Sequence, residues 1–162
     1  MTGVPDLHPG VAMLGPLLGT WAGAGRGDYP TIDGFDYLEE VTFSHIGKPF
    51  LAYSQRTRSP AGEPLHAETG YLRVPASGRV ELLLAHPTGI TEVDEGTVAA
   101  DGGTVVIDVH STTVALSGTA KDVFAVAREL RVEGDQLSYT VSMAAVGQPL
   151  QQHLAATLRR IP

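Results

Sequence analysis

The periodicity of the sequence changes at Gly19-Thr20-Trp21-Ala22-Gly23-Ala24-Gly25, and this change is the main indication of the fold class. Before it, the apolar run of residues 11–18 is interrupted by Gly15 and Pro16, which predicts one or two helical turns that cap another element. After it, apolar and polar residues alternate with a period of two, which indicates β-strands. Glycine at alternate positions of a strand removes the side chains from one face and permits close approach by other groups.

Nineteen glycines and eleven prolines are spread along the whole chain, and between them lie short segments with strand periodicity. About ten strands at short spacings, with no long helix between them, predict an antiparallel up-and-down sheet. Closing such a sheet into a barrel removes its unpaired edges. The predicted strands are Thr20–Gly27, Phe35–His45, Phe50–Arg58, Leu65–Val74, Arg79–His86, Gly89–Val98, Thr104–His110, Thr113–Thr119, Phe124–Val132, Gln136–Ala144 and Gln151–Arg160.

A barrel is favoured over a sandwich because several strands carry polar atoms on both faces. In one of them Tyr53 and Gln55 alternate with Ser54 and Arg56. Polar residues on an interior face are typical of a wide barrel that holds a ligand. We therefore predict an all-β protein, an antiparallel up-and-down β-barrel with a short N-terminal helical segment. It forms one domain over residues 1–162, of which residues 1–10 are expected to be flexible.

Composition excludes several classes of protein. The chain has 162 residues, 43% hydrophobic and 18% charged, with a formal net charge of −7. It is too apolar for a disordered chain, and no apolar run approaches the roughly 20 residues that span a bilayer. The acidic balance argues against nucleic-acid binding. With no cysteine and no signal-peptide pattern at the N-terminus, we expect a cytosolic (cytoplasmic) protein without disulfides or thiolate metal sites.

The glycine-rich stretch does not predict a phosphate or dinucleotide site. It lacks a following Lys-Ser/Thr pair and the G-x-G-x-x-G spacing, and no helix follows it. We interpret it as structural, with the single tryptophan, Trp21, plugging one end of the barrel. The sequence also lacks a Gly-x-Ser-x-Gly nucleophile elbow. Glu39-Glu40 and Asp94-Glu95 are adjacent pairs that point to opposite faces of a strand, and we interpret them as solvated.

With cysteine absent, the six histidines are the best candidate metal ligands, although no pair of them has the spacing of a zinc site on a helix or strand. We expect His8, His45 and His110 in solvated turns. His153 lies within a strand, on the face of Ala155 and Thr157, and is either exposed or a ligand that points into a cavity. His86 is either a hydrogen-bonded core residue or part of a pocket lining. His66 fits a rim or a pocket position.

The chain resembles the nitrobindin family from about Leu14 to its C-terminus. The glycine-rich stretch matches the family's G-x-W-x-G-x-G signature at Gly19, Trp21, Gly23 and Gly25, although lipocalins and fatty-acid-binding proteins have similar openings. The collinear set is more specific than this signature alone. It continues through Tyr29-Pro30-Thr31-Ile32, Phe35-x-Tyr37-x-Glu39-Glu40, Gly47-Lys48-Pro49-Phe50-Leu51-x-Tyr53-x-Gln55, Pro64-Leu65-His66-Ala67-Glu68-x-Gly70-Tyr71-Leu72-Arg73, Ala85-His86-Pro87-Thr88-Gly89 and His153.

The resemblance implies a ten-stranded antiparallel barrel with a b-type heme (heme b) at its open end. His153 would be the axial ligand of ferric iron, opposite an apolar side that leaves one position open. The resemblance also places further residues around the heme, and it implies no catalytic residue beyond the iron. Family members often carry glutamine where this sequence has His86. The implied heme contacts are Thr31, Leu65, His66, His86 and Met143.

The family reaction is isomerisation of peroxynitrite to nitrate, and family members also bind nitric oxide. The resemblance therefore implies a heme-dependent isomerase with small-molecule substrates. Two alternatives remain: a barrel that carries a fatty acid or another apolar ligand, and a nitric oxide sensor or store without turnover. Leu82-Leu83-Leu84 places aliphatic side chains on both faces of one strand. An exposed aliphatic patch on that strand would allow a homodimer.

Overall fold

The barrel is built from ten strands that follow one short helix. The structure is a computed structural model, and it describes residues 3–162. The helix is a 3-10 helix over Pro9–Leu17. The strands are β1 Gly19–Tyr29, β2 Ile32–Ser44, β3 Phe50–Arg58, β4 Pro64–Ala76, β5 Arg79–His86, β6 Ile90–Asp101, β7 Thr104–Leu116, β8 Val123–Glu133, β9 Gln136–Ala145 and β10 Gln151–Ile161.

All ten strands belong to one closed antiparallel sheet, which confirms the predicted fold class. Each strand pairs with its neighbours in sequence, and β1 pairs with β10 to close the barrel. In that closing pair, Thr20 lies opposite Ile161 and Gly27 lies opposite Leu154. Because the connections are short and the strands antiparallel, alternate strand ends meet at each end of the barrel. Residues far apart in sequence are thereby brought together at one opening.

The two predicted strands Thr104–His110 and Thr113–Thr119 are one strand, so the predicted break between them is wrong. Thr113 pairs with Val93 and Ser111 with Asp94, which leaves Thr112 as an extra residue on β7. An extra residue of this kind is a β-bulge, which bends a strand without ending it. The polar run at residues 111–113 therefore marks a bulge where the sequence indicated a turn.

The 3-10 helix closes one end of the barrel, as the apolar run before Gly19 predicted. Val11, Leu14 and Leu17 on this helix are fully buried. They pack on residues at the matching strand ends, among them Leu51 and Leu158. Each fully buried branched side chain contributes about 1.5–3 kcal/mol of hydrophobic free energy. This end of the barrel is a dry core.

Trp21 plugs the same end and links the helix to the sheet. Its side chain is fully buried, and its Nε1 donates to the carbonyl of Leu17 at 2.8 Å. The Arg160 guanidinium lies 4.2 Å from the centre of the Trp21 ring system and donates to the carbonyls of Pro16 and Leu18. The structural role expected for Trp21 is confirmed. The signature therefore marks the closed end.

Gly25 shows why one face of β1 lacks side chains. A Cβ atom at this position would overlap the ring of Tyr37, which lies over the strand. The same arrangement recurs at Gly27 with Phe35. The glycines thus make room for aromatic rings from β2 inside the barrel.

Pro9 and Gly10 lie in the 3-10 helix, and the flexibility predicted for residues 1–10 stays a prediction. Met1 and Thr2 lie outside the described residues. Within residues 3–162, no helix has the length and apolar character needed to cross a membrane.

Candidate functional site

A cavity of about 780 Å³ occupies the barrel toward the end opposite the 3-10 helix. Its lining includes Tyr29 at the end of β1, His86 at the end of β5 and Met143 near the end of β9. Those strand ends meet at the opening that the helix does not cover. The volume lies in the range of small-molecule and cofactor sites, about 300–1,000 Å³.

His153 lines this cavity because β10 has a bulge at that residue. Gln152 pairs with Ser142 and Leu154 pairs with Val141, so His153 has no partner on β9. The side chains of Leu154, Ala156 and Leu158 face the interior of the barrel. Strict alternation along β10 would therefore place His153 on the outer face. The bulge lets two successive residues, His153 and Leu154, line the cavity. Of the two orientations left open by the sequence, the structure has the one that faces the cavity.

A backbone carbonyl fixes the tautomer of His153. The ring Nδ1 lies 3.0 Å from the carbonyl oxygen of Asp28, which can only accept a hydrogen bond. Nδ1 therefore carries the proton, and the lone pair of the neutral ring is on Nε2. Tyr29 packs edge-on against the imidazole with ring centres 5.2 Å apart. Its hydroxyl donates to the carbonyl of Met143 at 3.0 Å and accepts from the amide of Ala145 at 2.9 Å.

The residues present fit a heme. A metal-ligating histidine commonly donates its second ring N–H to a carbonyl, as His153 does, which orients the ring and raises its basicity. Hydrophobic side chains form much of the wall, and Leu65 stands at the rim with 48% of its surface exposed. All the predicted heme contacts line the same cavity, in the β1–β2 turn and on β4, β5 and β9: Thr31, Leu65, His66, His86 and Met143.

Sequence reasoning missed a group of buried polar side chains midway along the strands, which we call the polar belt. The belt lies between the dry core at the helix end and the end of the cavity that holds His153. The interpretation of Glu39 and Asp94 as solvated is wrong, since they are 2% and 0% exposed. The signal available was their period-two spacing from other inward residues. The belt consists of Tyr37, Glu39, Tyr53, Gln55, Glu68, Glu92, Asp94, Arg128 and Tyr139.

Arg128 compensates for the buried carboxylates of the belt. Its guanidinium lies 2.9 Å from Glu92, 3.3 Å from Asp94 and 3.5 Å from Glu68. Burial opposes ionisation of Glu92, but the attraction of Arg128 prevails and lowers the pKa of this carboxyl. Burial and the neighbouring Glu92 raise the pKa of Asp94. Glu92 is therefore the ionised member of this pair, and Asp94 is the one that holds a proton.

A second part of the belt joins Glu39 to two tyrosines. The Tyr139 hydroxyl donates to Glu39 Oε2 and lies 2.8 Å from the hydroxyl of Tyr37. Burial raises the pKa of Glu39 to about 7, against the hydrogen bond from Tyr139. Burial also raises the pKa of both tyrosines, so they remain neutral donors.

His66 and His86 meet where the belt borders the cavity. The two rings are stacked, and His66 Nε2 lies 3.2 Å from His86 Nδ1. His86 Nε2 lies 2.8 Å from Glu92 Oε2. Both alternatives left open for His86 hold, because it is hydrogen-bonded and also lines the cavity. Burial lowers the pKa of His66.

The sequence model of a family described as the THAP4-like, heme-binding beta-barrel domain matches residues 10–160. The chain belongs to this family. The match covers the helix and every strand of the barrel apart from their outermost residues. The match confirms the prediction, made from the family resemblance, that the chain is a heme-binding barrel domain.

Two proteins named as peroxynitrite isomerases share more than half of their residues with this chain. A protein named peroxynitrite isomerase 1 from Mycolicibacterium paratuberculosis is 64% identical over 156 residues, or 96% of this chain and 97% of that protein. A peroxynitrite isomerase from Nocardia farcinica is 59% identical over 155 residues, or 95% of this chain and 92% of that protein.

Two solved structures have the same architecture. The crystal structure of Rv2717c from M. tuberculosis is 55% identical, has a TM-score of 0.94, and matches 97% of this chain and 100% of that one. An S-type phycobiliprotein lyase from Guillardia theta has a TM-score of 0.63 at 12% identity, covering 91% of this chain and 90% of that one, and it shows the fold alone.

Proposed function

We propose that the protein binds a b-type heme through His153 Nε2 and isomerises peroxynitrite to nitrate there. The observation that carries the proposal is the bulge at His153, with Nδ1 bonded to the Asp28 carbonyl. This arrangement supplies a neutral imidazole with a defined donor atom at a large cavity. The names of the relatives and the heme-binding family support the same reaction. Bound heme would supply the ferric iron at which peroxynitrite is converted.

The residues of the chain would bind and enclose the cofactor. His153 would hold the iron, and the hydrogen bond to Asp28 would keep its ring oriented. The apolar wall, including Leu65 and Met143, would cover the porphyrin and limit access of water. Thr31, His66 and His86 would make the remaining contacts with the heme. Conversion of the peroxynitrite anion to nitrate neither takes up nor releases a proton overall, and we assign no side chain an acid or base role.

Two readouts distinguish this proposal from the alternatives. A hemin titration of the wild-type protein should give a stoichiometric Soret band, and His153→Ala should abolish it. His110→Ala is the matched control, since His110 is an exposed histidine on β7 and should leave the band unchanged. Equal bands in His153→Ala and wild type would refute the ligand assignment, and no specific band in either would favour an apolar-ligand carrier.

Turnover separates the isomerase from a nitric oxide store. Rapid mixing of the heme-loaded protein with peroxynitrite should accelerate its decay and give nitrate as the product. Nitric oxide binding without accelerated decay would favour a sensor or store.

The proposal also covers where the protein is located and how it assembles. We propose a cytosolic protein, for which the absence of cysteine is the supporting observation. A homodimer through the Leu82-Leu83-Leu84 strand also stays a prediction. Leu82 lines the cavity and Leu84 is buried, so Leu83 is the residue on the outer face. Sedimentation analysis would test it.

A further inference from the structure

We propose that His66, Glu68 and His86 form a second metal site, for Zn²⁺ or another divalent ion of the first transition row. It lies where the cavity meets the polar belt and uses none of the atoms assigned to heme iron. His66 Nε2 and His86 Nδ1 are 3.2 Å apart, and Glu68 Oε2 lies 3.3 Å from His86 Nδ1 and 4.0 Å from His66 Nε2. Three donor atoms from β4 and β5 thus converge on one point.

The hydrogen bond between His86 and Glu92 prepares His86 as a ligand. Glu92 Oε2 lies 2.8 Å from His86 Nε2, and the other oxygen of Glu92 binds Arg128 at 2.9 Å. A carboxylate accepts here, so the proton of His86 is on Nε2 and the lone pair of the neutral ring is on Nδ1. A carboxylate behind a histidine is the usual outer partner of a metal ligand. The Nδ1 lone pair then faces both His66 Nε2 and the Glu68 carboxylate, and a cation bound among the three atoms would offset the repulsion between the lone pair and the carboxylate.

The spacing of the donors suits a small four-coordinate ion. Bonds of about 2.0–2.2 Å in tetrahedral geometry hold ligand atoms about 3.3–3.6 Å apart. Two of the three separations are already near this value. The third needs a modest rotation of His66, whose side chain is 34% exposed and borders the cavity. A water or a ligand from the cavity would take the fourth position.

Charge and chemistry favour a divalent ion at this point. Glu68 and Glu92 bring two carboxylates to the cluster, against the single guanidinium of Arg128. Imidazole and carboxylate together are ligands that zinc and neighbouring divalent ions accept. This inference goes beyond the proposed function and does not depend on it, because the test uses protein without heme.

The test is a calorimetric titration of Zn²⁺ into heme-free protein that carries no histidine tag. We expect one ion per chain, with affinity at least tenfold weaker in His66→Ala and in His86→Ala. Glu92→Gln should weaken binding about 10–100-fold without removing a ligand atom. Co²⁺ provides a second readout, because its visible absorption should change on binding to wild type and not to His86→Ala.

Controls separate this site from other histidines and from misfolding. His110→Ala and His153→Ala should both keep the ion, and His153→Ala should lose only heme. Thermal unfolding of His66→Ala checks that this variant folds. Absence of stoichiometric Zn²⁺ binding to wild type, wild-type affinity retained in both His66→Ala and His86→Ala, or loss of the ion in His153→Ala would each overturn the proposal. If wild type binds no Zn²⁺, the contact between His66 Nε2 and His86 Nδ1 is a hydrogen bond in which the two rings share a proton.

Discussion

The two ends of this barrel use the same ten strands for different purposes. At the helix end the inward side chains are aliphatic or aromatic, and many of them are fully buried, such as Leu14, Leu51 and Trp21. Toward the open end the inward side chains include Glu92, Arg128 and histidines around a cavity. We infer that the closed end provides most of the free energy of unfolding. The open end buries fewer apolar side chains and forms a binding site.

The largest effect is expected from Trp21→Ala at the closed end. The change opens a cavity, which costs about 3–5 kcal/mol, and it leaves the Leu17 carbonyl without its donor, which costs about 1 kcal/mol more. Urea unfolding would measure the loss in free energy. Phe124→Ala is the control, because that ring is 82% exposed, and its effect should stay within about 0.5 kcal/mol. If Trp21→Ala folds at low temperature and no longer binds hemin, the two ends are not independent.

Arg128→Met should be nearly as destabilising, by about 3–5 kcal/mol, because it leaves buried carboxylates without their cation. Arg128 is what lowers the pKa of buried Glu92, so without the guanidinium this carboxyl can take up a proton and the loss should shrink at lower pH. Urea unfolding at pH 5 and pH 8 would measure this dependence. Arg56→Met is the matched control, since it breaks an exposed pair with Glu40 and should cost less than about 1 kcal/mol. Equal losses at both pH values would contradict the charge argument.

Glu39→Gln should change how stability depends on pH. The pKa of Glu39 is raised by burial from 4.5 to about 7, so the folded state holds a proton that the unfolded state releases. This carboxyl therefore lowers stability as pH rises from about 4.5 to 7, by up to about 1.4 kcal/mol per pH unit. The glutamine variant lacks that slope, and its stability relative to wild type should rise over this interval. Unfolding curves at several pH values measure the difference, which would stay constant if Glu39 were ionised throughout.

The closed end could be predicted from the sequence more fully than the open end. Local signals were enough for Trp21, the apolar run before it and most of the strands. The bulges at Thr112 and His153 depend on the register of the partner strand, which no local pattern encodes. The burial of Glu39 and Asp94 depends on partners from other strands, so adjacent carboxylates looked solvated. The strand pattern left His66, His86 and His153 as possible pocket residues, and the family resemblance supplied the complete set of heme contacts.

Tyr29→Phe gives the smallest effect and tests how the open end positions His153. The change removes the hydroxyl that bonds the Met143 carbonyl and the Ala145 amide, while the ring stays packed against the imidazole. We expect a loss of about 1–2 kcal/mol in the free energy of unfolding, because the buried amide loses its acceptor. Hemin affinity should weaken only severalfold, since the Asp28 carbonyl still orients Nδ1. A loss of hemin binding as complete as in His153→Ala would mean that the Tyr29 hydroxyl, and not the bulge with its carbonyl, holds the ligand in place.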